Sequence, residues 1–485
     1  MGIVFKQSFR NTLIIYLAFV VGGANTIILY PRILEGEFYG VVVFLLSASN
    51  VIMPLTAIGV QHSIVKFFSS YDSKEEKDRF LSTIIFLPMF IAIPIGFLVS
   101  QLYEQIGNHI SEENPILKDY TFVIFVVAFA CAYFEVFYSW VKVQMQSVFG
   151  NVLKEFWNRA MVLILLLAVL FDFLTKPQFI YFLTGAYVLR ALVMMIYAFW
   201  QYFPKFTLQL PKNFKEVVRY SLYMVLAGSA GAILLDIDKV MIPGKEDVKL
   251  AAYYAVAVFI GSVIEAPGRA MGQILQPITS KTLNENNTKE VESLYKKSST
   301  NLFLISGLFF LLVNCGINEL FKLMPDKGYA GGELVVLMIS GAKMFTMFLG
   351  NNGAIINNSS FYRISLPINV GMAVSVYFLN VWLFEVFGTD GLALATLLVI
   401  FTFNSIKLTI VKSKLSISPV TDKTFKIFSL IAVLFFGFYF WDFNFHPLIN
   451  IVLKSAIIFV LYVIVAVKFK LSPEINNLIS RFIKI

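Results

Sequence analysis

Fourteen apolar stretches, each bounded by short polar gaps, follow one another along the chain at 11–31, 39–61, 80–102, 119–139, 156–174, 178–200, 217–240, 250–272, 298–318, 331–353, 365–386, 390–411, 425–441 and 448–467. A helix needs roughly 20 apolar residues to cross the hydrocarbon core of a bilayer. Each stretch is therefore predicted to be a transmembrane helix. The gaps are too short for a globular domain, so the expected fold class is an all-α polytopic membrane protein.

Composition agrees with that pattern. Hydrophobic residues make up 58% of the chain and charged residues 14%, with a mean hydropathy of +0.76, which no soluble fold could hide from water. The basic residues are distributed unevenly. Of the 39 Lys and Arg, 27 lie at the N-terminus and in every second gap after it, whereas 8 lie in the alternate gaps. The positive-inside rule then places both termini in the cytoplasm. The net charge of +9 reports this topology and does not imply nucleic acid.

Lys6 and Arg10 resemble the start of a signal peptide, but no small-residue cleavage site follows, so the first run is predicted to be retained. Cys131 and Cys315 fall inside predicted spans, and His62, His109 and His446 are far apart, so no disulfide, metal site or Cys/His nucleophile is expected. No phosphate-binding G-x-x-x-x-G-K-[ST] loop occurs, and no cofactor is expected. The tail over 471–485 is predicted to form an amphipathic helix on the cytoplasmic surface, capped by Ser472 with Pro473 in its first turn, its apolar face made by Ile475, Leu478, Ile479 and Phe482.

Shifting the chain by 215 residues pairs Tyr39–Phe44 with Tyr254–Phe259 and matches Ser47, Gln61, Lys66, Lys74 and Glu75 with Ser262, Gln276, Lys281, Lys289 and Glu290. Nine identities result, where chance for this composition gives about two or three. Spans six apart point the same way, which predicts two parallel repeats of six helices around a central cavity. The expected organisation is an N-terminal lobe at 1–205, a C-terminal lobe at 206–412, an appended helix pair at 413–470 and the tail.

Charged residues within spans cost about 2.5–3.5 kcal/mol each at mid-bilayer and so should face protein or water. Arg190, Arg269, Lys343 and Lys454 are the basic ones well inside their spans; Glu135, Asp236, Asp238 and Glu265 are the acidic ones considered. Glu265 and Arg269 have the i, i+4 spacing of a self-neutralising pair, and Asp238 beside Lys239 reads as an interfacial pair. Lys454 has the reach to snorkel. Arg190 and Lys343 lack a partner on their own helices and are the sharper candidates for an anionic ligand. Gly261, Pro267, Gly268 and Gly272 in span 8, and Pro54 and Gly59 in span 2, predict bends or close packing. Asn351, Asn352, Asn357 and Asn358 suit either a wet vestibule or helix caps.

The fourteen spans, the repeat, the turn Tyr30-Pro31-Arg32-Ile33-Leu34-Glu35-Gly36-Glu37-Phe38-Tyr39-Gly40 and the stretch Leu235–Ile242 before Tyr253-Tyr254-Ala255-Val256-Ala257 together resemble the polysaccharide-transport, O-antigen-flippase-like branch of the multidrug/oligosaccharidyl-lipid/polysaccharide exporter superfamily. The resemblance implies a transporter, not an enzyme, that moves an undecaprenyl-pyrophosphate-linked oligosaccharide across the bacterial inner membrane for surface polysaccharide such as O-antigen of lipopolysaccharide. Membrane lipids, a polysaccharide polymerase and glycosyltransferases are the partners it implies. It adds Arg32 to the cationic set, giving Arg32, Arg190, Arg269 and Lys343 as substrate contacts, with Glu135, Asp236 and Glu265 as candidates for ion coupling. The alternatives are a cation-coupled multidrug antiporter, a lipid II-type flippase and a membrane enzyme such as a glycan polymerase. The longest predicted outer loop, about 103–118, holds few catalytic groups, and the basic excess in the spans favours an anionic substrate.

Overall fold

The computed structural model describes residue 14 and residues 17–144, 146–325 and 327–473. The predicted tail helix and the beginning of the first span lie outside the described residues. Among those described, all regular structure is helical. Eight helices are long and apolar enough to cross a membrane, or nine if the bent pair Glu333–Phe348 and Asn352–Asn358 is one span. Helices nevertheless occur at every predicted stretch, some shorter or less apolar than that threshold. The chain packs as two compact units, residues 1–252 and 253–485.

Unit 1 contains α1 (Leu17–Ile33), α2 (Glu35–Ala57), α3 (Lys74–Gln101), α4 (Thr121–Val143), α5 (Asn158–Leu170), α6 (Lys176–Gln201) and α7 (Phe214–Met241). α4 is its axis: α2, α6 and the short helix Val60–Phe67 pack around it, burying Phe134, Trp140 and Val136 with Phe80, Leu81 and Ile84 of α3. Lipid tails are as apolar as these side chains, so helix association here depends on close packing and interhelical hydrogen bonds. α7 shows both. Its Ser221 hydroxyl lies 2.6 Å from that of Ser63, and Gly228 faces Pro54 of α2. That explains why α7 packs with unit 1, although it opens the second predicted sequence repeat.

Two glycines permit these approaches. Gly59 has φ +68°, and a Cβ there would lie 2.3 Å from the Ser221 carbonyl oxygen; a Cβ on Gly40 would lie 2.0 Å from that of Val248. Asn114 closes the same corner, donating from Nδ2 to the carbonyls of Pro243 (2.7 Å) and Glu246 (2.9 Å) and accepting from Val248 N–H (2.9 Å). In the connections between spans, Lys212 donates to Glu76 at 2.7 Å and holds that carboxyl below its usual range.

The division between units falls within α8 (Lys249–Ser262), and unit 2 continues with α9 (Ala266–Asn284), α10 (Thr288–Lys322), α11 (Glu333–Phe348), α12 (Ser365–Leu415), α13 (Asp422–Tyr439) and α14 (Pro447–Lys468). Predicted span 8 is not one straight helix. A 3₁₀ turn at Val263–Glu265, just before Pro267, separates α8 from α9. Conversely, α12 would be roughly 75 Å long if straight, more than twice the hydrocarbon thickness. Gly388, at φ 58° and ψ −139°, breaks it, dividing it into the two predicted spans.

α10 is the axis of unit 2, with α11, α13 and α14 packed against it. Tyr462 of α14 donates to the Leu304 carbonyl at 2.7 Å, and Asn314 of α10 donates to Ser340 of α11 at 3.0 Å. Two of the asparagines read as vestibule lining or helix caps are used differently. Asn351 donates to Thr279 (2.8 Å) and accepts from Ser298 (3.1 Å), and Asn352 donates to Tyr295 (2.6 Å). Both are buried and bond side chains within α9 and α10. Ser472 donates to Asn301 at 2.7 Å.

Lys454 is buried, bonded to the Cys315 carbonyl (2.9 Å) and to Asp442 of the α13–α14 connection (2.6 Å). Its head group thus ends on a carboxylate and not in water, as snorkelling would require. Removing Asp442 strands a buried ammonium, whereas removing Lys454 leaves a carboxylate that is 41% exposed and within reach of water. Asp442→Ala should therefore cost about 1–3 kcal/mol and Lys454→Met much less, compared by thermal unfolding in detergent.

Candidate functional site

In unit 1, α4 and α6 bring Glu135 and Arg190 to neighbouring positions. Both sit roughly two-thirds of the way along their helices, and one packed interface joins those helices. Arg190 is buried. Its guanidinium donates to the Cys131 thiol at 3.3 Å and lies over the rings of Phe134 (4.2 Å) and Tyr187 (5.1 Å). Among the described residues it has no carboxylate within ion-pair distance, and its Nε is buried without a hydrogen-bond partner. Cation–π contact supplies about 2 kcal/mol or more when desolvated, which offsets only part of the cost of an unpaired buried charge.

Glu135 accepts from Lys154 at 2.6 Å. Lys142, in the last turn of α4, lies over the Tyr138 ring at 4.4 Å, and Lys154 approaches the same ring at 5.8 Å. Lys154 belongs to a π-helical turn, Leu153–Trp157, that precedes α5. Such turns insert one extra residue and recur at functional sites. A second π turn, Ala24–Leu29, interrupts α1, and its Asn25 donates to the Arg159 carbonyl at 2.8 Å. Arg159 pairs with Glu155 at 3.4 Å. His62 lies within electrostatic reach of Glu135, Lys142 and Lys154. Counting Arg190, Lys142, Lys154 and Arg159 against Glu135 and Glu155 leaves two positive charges in excess, with His62 neutral.

Of these, the sequence pattern singled out only Arg190 and Glu135. Lys142, Lys154 and Arg159 were absorbed into the topological count of loop charges; the one available signal was that Arg159 lies inside the predicted 156–174 span. Arg32 is exposed on the last turn of α1 and has no ion pair among the described residues. Asp236 pairs with Lys239 at 2.5 Å and accepts from Ser47 (3.4 Å) and Asn50 (3.2 Å) of α2. Lys239 thus takes Asp236 as an ion-pair partner three residues back, on the same helix face, beside the expected Asp238, which accepts from the Lys239 backbone N–H at 3.1 Å.

In unit 2, Glu265 sits at the 3₁₀ break and holds Lys343 of α11 at 2.7 Å and Arg269 at 3.8 Å. The partner that the sequence did not show for Lys343 comes from another helix. Two of the candidate cations are therefore already gripped by one carboxylate, and Arg190 is the buried candidate that is not.

A cavity of about 850 Å³ between α2, α3, α4 and α6 is lined by apolar side chains such as Ile52, Leu55, Phe129 and Leu192. It presents no charged group and cannot be the place where a charged head group is recognised. Among the described residues no cluster of His, Cys, Asp and Glu suits a metal ion.

Comparison with known proteins places these features. The family described as "Polysaccharide biosynthesis protein" matches residues 8–282. No curated protein sequence matches this one. Among solved structures, a lipid II flippase MurJ in an inward closed conformation superposes with a TM-score of 0.75 at 13% identity, covering 95% of this chain and 98% of that one. An inward-facing multidrug resistance MATE family transporter of the MOP superfamily gives 0.62 at 13% identity, covering 84% and 94%. A MOP superfamily transporter from Pyrococcus furiosus, described as having a binding pocket of reverse polarity, gives 0.57 at 13% identity, covering 85% and 95%. With more than half the chain matched, the protein belongs to the polysaccharide biosynthesis protein family, and it is a multi-pass membrane protein whose fold is shared with these flippase and transporter structures.

Proposed function

We propose that this transporter flips an undecaprenyl-pyrophosphate-linked oligosaccharide from the cytoplasmic to the periplasmic leaflet of a bacterial inner membrane, with both termini in the cytoplasm, to supply surface polysaccharide such as O-antigen. The observation that carries the reading is the excess of two positive charges around buried Arg190 in unit 1. A lipid-linked pyrophosphate carries negative charge that is expensive in hydrocarbon. Guanidinium and ammonium groups replace its hydration with charge-assisted hydrogen bonds, while the polyprenyl chain stays in lipid. Transport would proceed by alternating access of two repeats, 1–205 and 206–412, with 413–470 appended. A glycan polymerase and glycosyltransferases would act on either side of the step.

Proteoliposomes loaded with a fluorescent lipid-diphosphate oligosaccharide test this directly. Protein-dependent movement of label to the opposite leaflet is expected, and its absence overturns the reading. A lipid II-type head group is the second reading, favoured by the 0.75 superposition on a lipid II flippase; competition between the two glycolipids decides it. A cation-coupled drug antiporter fits the cationic excess poorly.

Ion coupling by Glu135, Asp236 or Glu265 belongs to the same proposal. Each already holds a basic partner, so titration or Na⁺ binding would release that partner. Collapsing the proton and Na⁺ gradients should slow transport several-fold; an unchanged rate assigns the step to passive exchange.

A further inference from the structure

We propose that Glu135 is an internal stand-in for the substrate's phosphoryl oxygens, holding Lys154 across the empty site until the incoming head group displaces it. The inference rests on the lipid-diphosphate reading above and assigns one residue's role within it.

Two carboxylates accompany the four cations counted around Arg190, and they differ in origin. Glu155 bonds Arg159 four residues along the same helical run, an arrangement that travels with the chain wherever it moves. Glu135 comes from α4 and reaches Lys154 on the π turn, nineteen positions away, at 2.6 Å. The Lys154 side chain remains 42% exposed while the Glu135 side chain is 17% exposed, so the ammonium is accessible to a ligand from its open side. Lys142 and Arg190 also act electrostatically on the Glu135 carboxylate. Glu135 thus sits within the influence of three of the cluster's cations, Lys154, Lys142 and Arg190.

A cluster of like charges in a weakly screened interior repels itself. One carboxylate brought in from a separate helix relieves that repulsion until the head group arrives. It also limits how tightly the head group binds, because each ligand contact to Lys154 replaces an existing ion pair. A transporter needs that limit, since binding must be favourable enough to enter and weak enough to leave.

The test uses the full chain in nanodiscs titrated with farnesyl diphosphate as the probe, alongside the flipping assay. Glu135→Gln keeps the shape and removes the competing charge. It should tighten probe binding about tenfold, the equivalent of roughly 1.4 kcal/mol, while slowing turnover. Lys154→Gln should weaken binding, and in the Lys154→Gln background the Glu135→Gln substitution should lose its tightening effect, a coupling that a merely structural role would not produce. Wild-type binding that Glu135→Gln leaves unchanged or weakens overturns the stand-in role alone. A wild-type protein that binds no probe, with Glu135→Gln equally silent, overturns the lipid-diphosphate reading as well. If Glu135→Gln fails to fold, Glu135→Asp decides: its shorter reach should loosen Lys154 and tighten binding, and unaltered affinity counts against the role.

Discussion

Arg190→Ala should reduce glycolipid flipping by about ten- to a hundredfold while leaving membrane insertion and thermal stability nearly intact. The guanidinium is buried over Phe134 and Tyr187 with a thiol as its hydrogen-bonding neighbour, so its removal strands no carboxylate at ion-pair distance among the described residues. A hydrogen bond to a charged group contributes about 1.5–3 kcal/mol, which sets the size of the expected loss. Arg190→Lys should recover only part of it, because an ammonium keeps the charge but lacks the planar fork that matches phosphate. Proteoliposome assays on reconstituted variants measure the effect. Wild-type flipping by Arg190→Ala would remove this residue from the site and with it the observation that best supports an anionic substrate.

The second large effect concerns stability. Gly40→Leu should lower the unfolding temperature in detergent markedly, since its Cβ alone would sit 2.0 Å from the Val248 carbonyl oxygen and 2.7 Å from its carbon. A backbone neighbour cannot rotate away as a side chain can. Either the start of α2 or the 243–248 turn must move, and Asn114 then loses some of its three bonds to that turn. Overpacking costs about 1–3 kcal/mol, and each stranded buried polar group adds about 1–3 more. Asn114→Ala should reproduce the smaller part of the loss. Unfolding curves for both variants separate the contributions, and a Gly40→Leu protein as stable as the wild type would contradict the close approach.

Much of this was legible in the residue pattern. Gly388 divides one 51-residue helix at the place where the apolar runs were predicted to end at 386 and resume at 390. The 3₁₀ turn before Pro267 was legible too, because proline removes a backbone donor and crowds the preceding turn. The Glu265–Arg269 pair was legible from its i, i+4 spacing. What escaped the sequence was pairing between helices: Lys343 has no acidic partner along its own helix, yet Glu265 of another helix meets it.

By itself, then, the chain determined a polytopic helical membrane protein, the places of its helices and the residue types expensive enough in lipid to require an explanation. Those are local properties, set by hydropathy over about 20 residues and by the backbone chemistry of Gly and Pro. Apart from the i, i+4 pair of Glu265 and Arg269, which charges neutralise one another was decided only by the tertiary structure. It gave Arg269 and Lys343 a shared carboxylate, left Arg190 against aromatic rings, and drew Lys142, Lys154 and Arg159 out of the loop count into one cluster. The physical reason is that ion pairing acts over a few ångströms in space and is indifferent to separation along the chain.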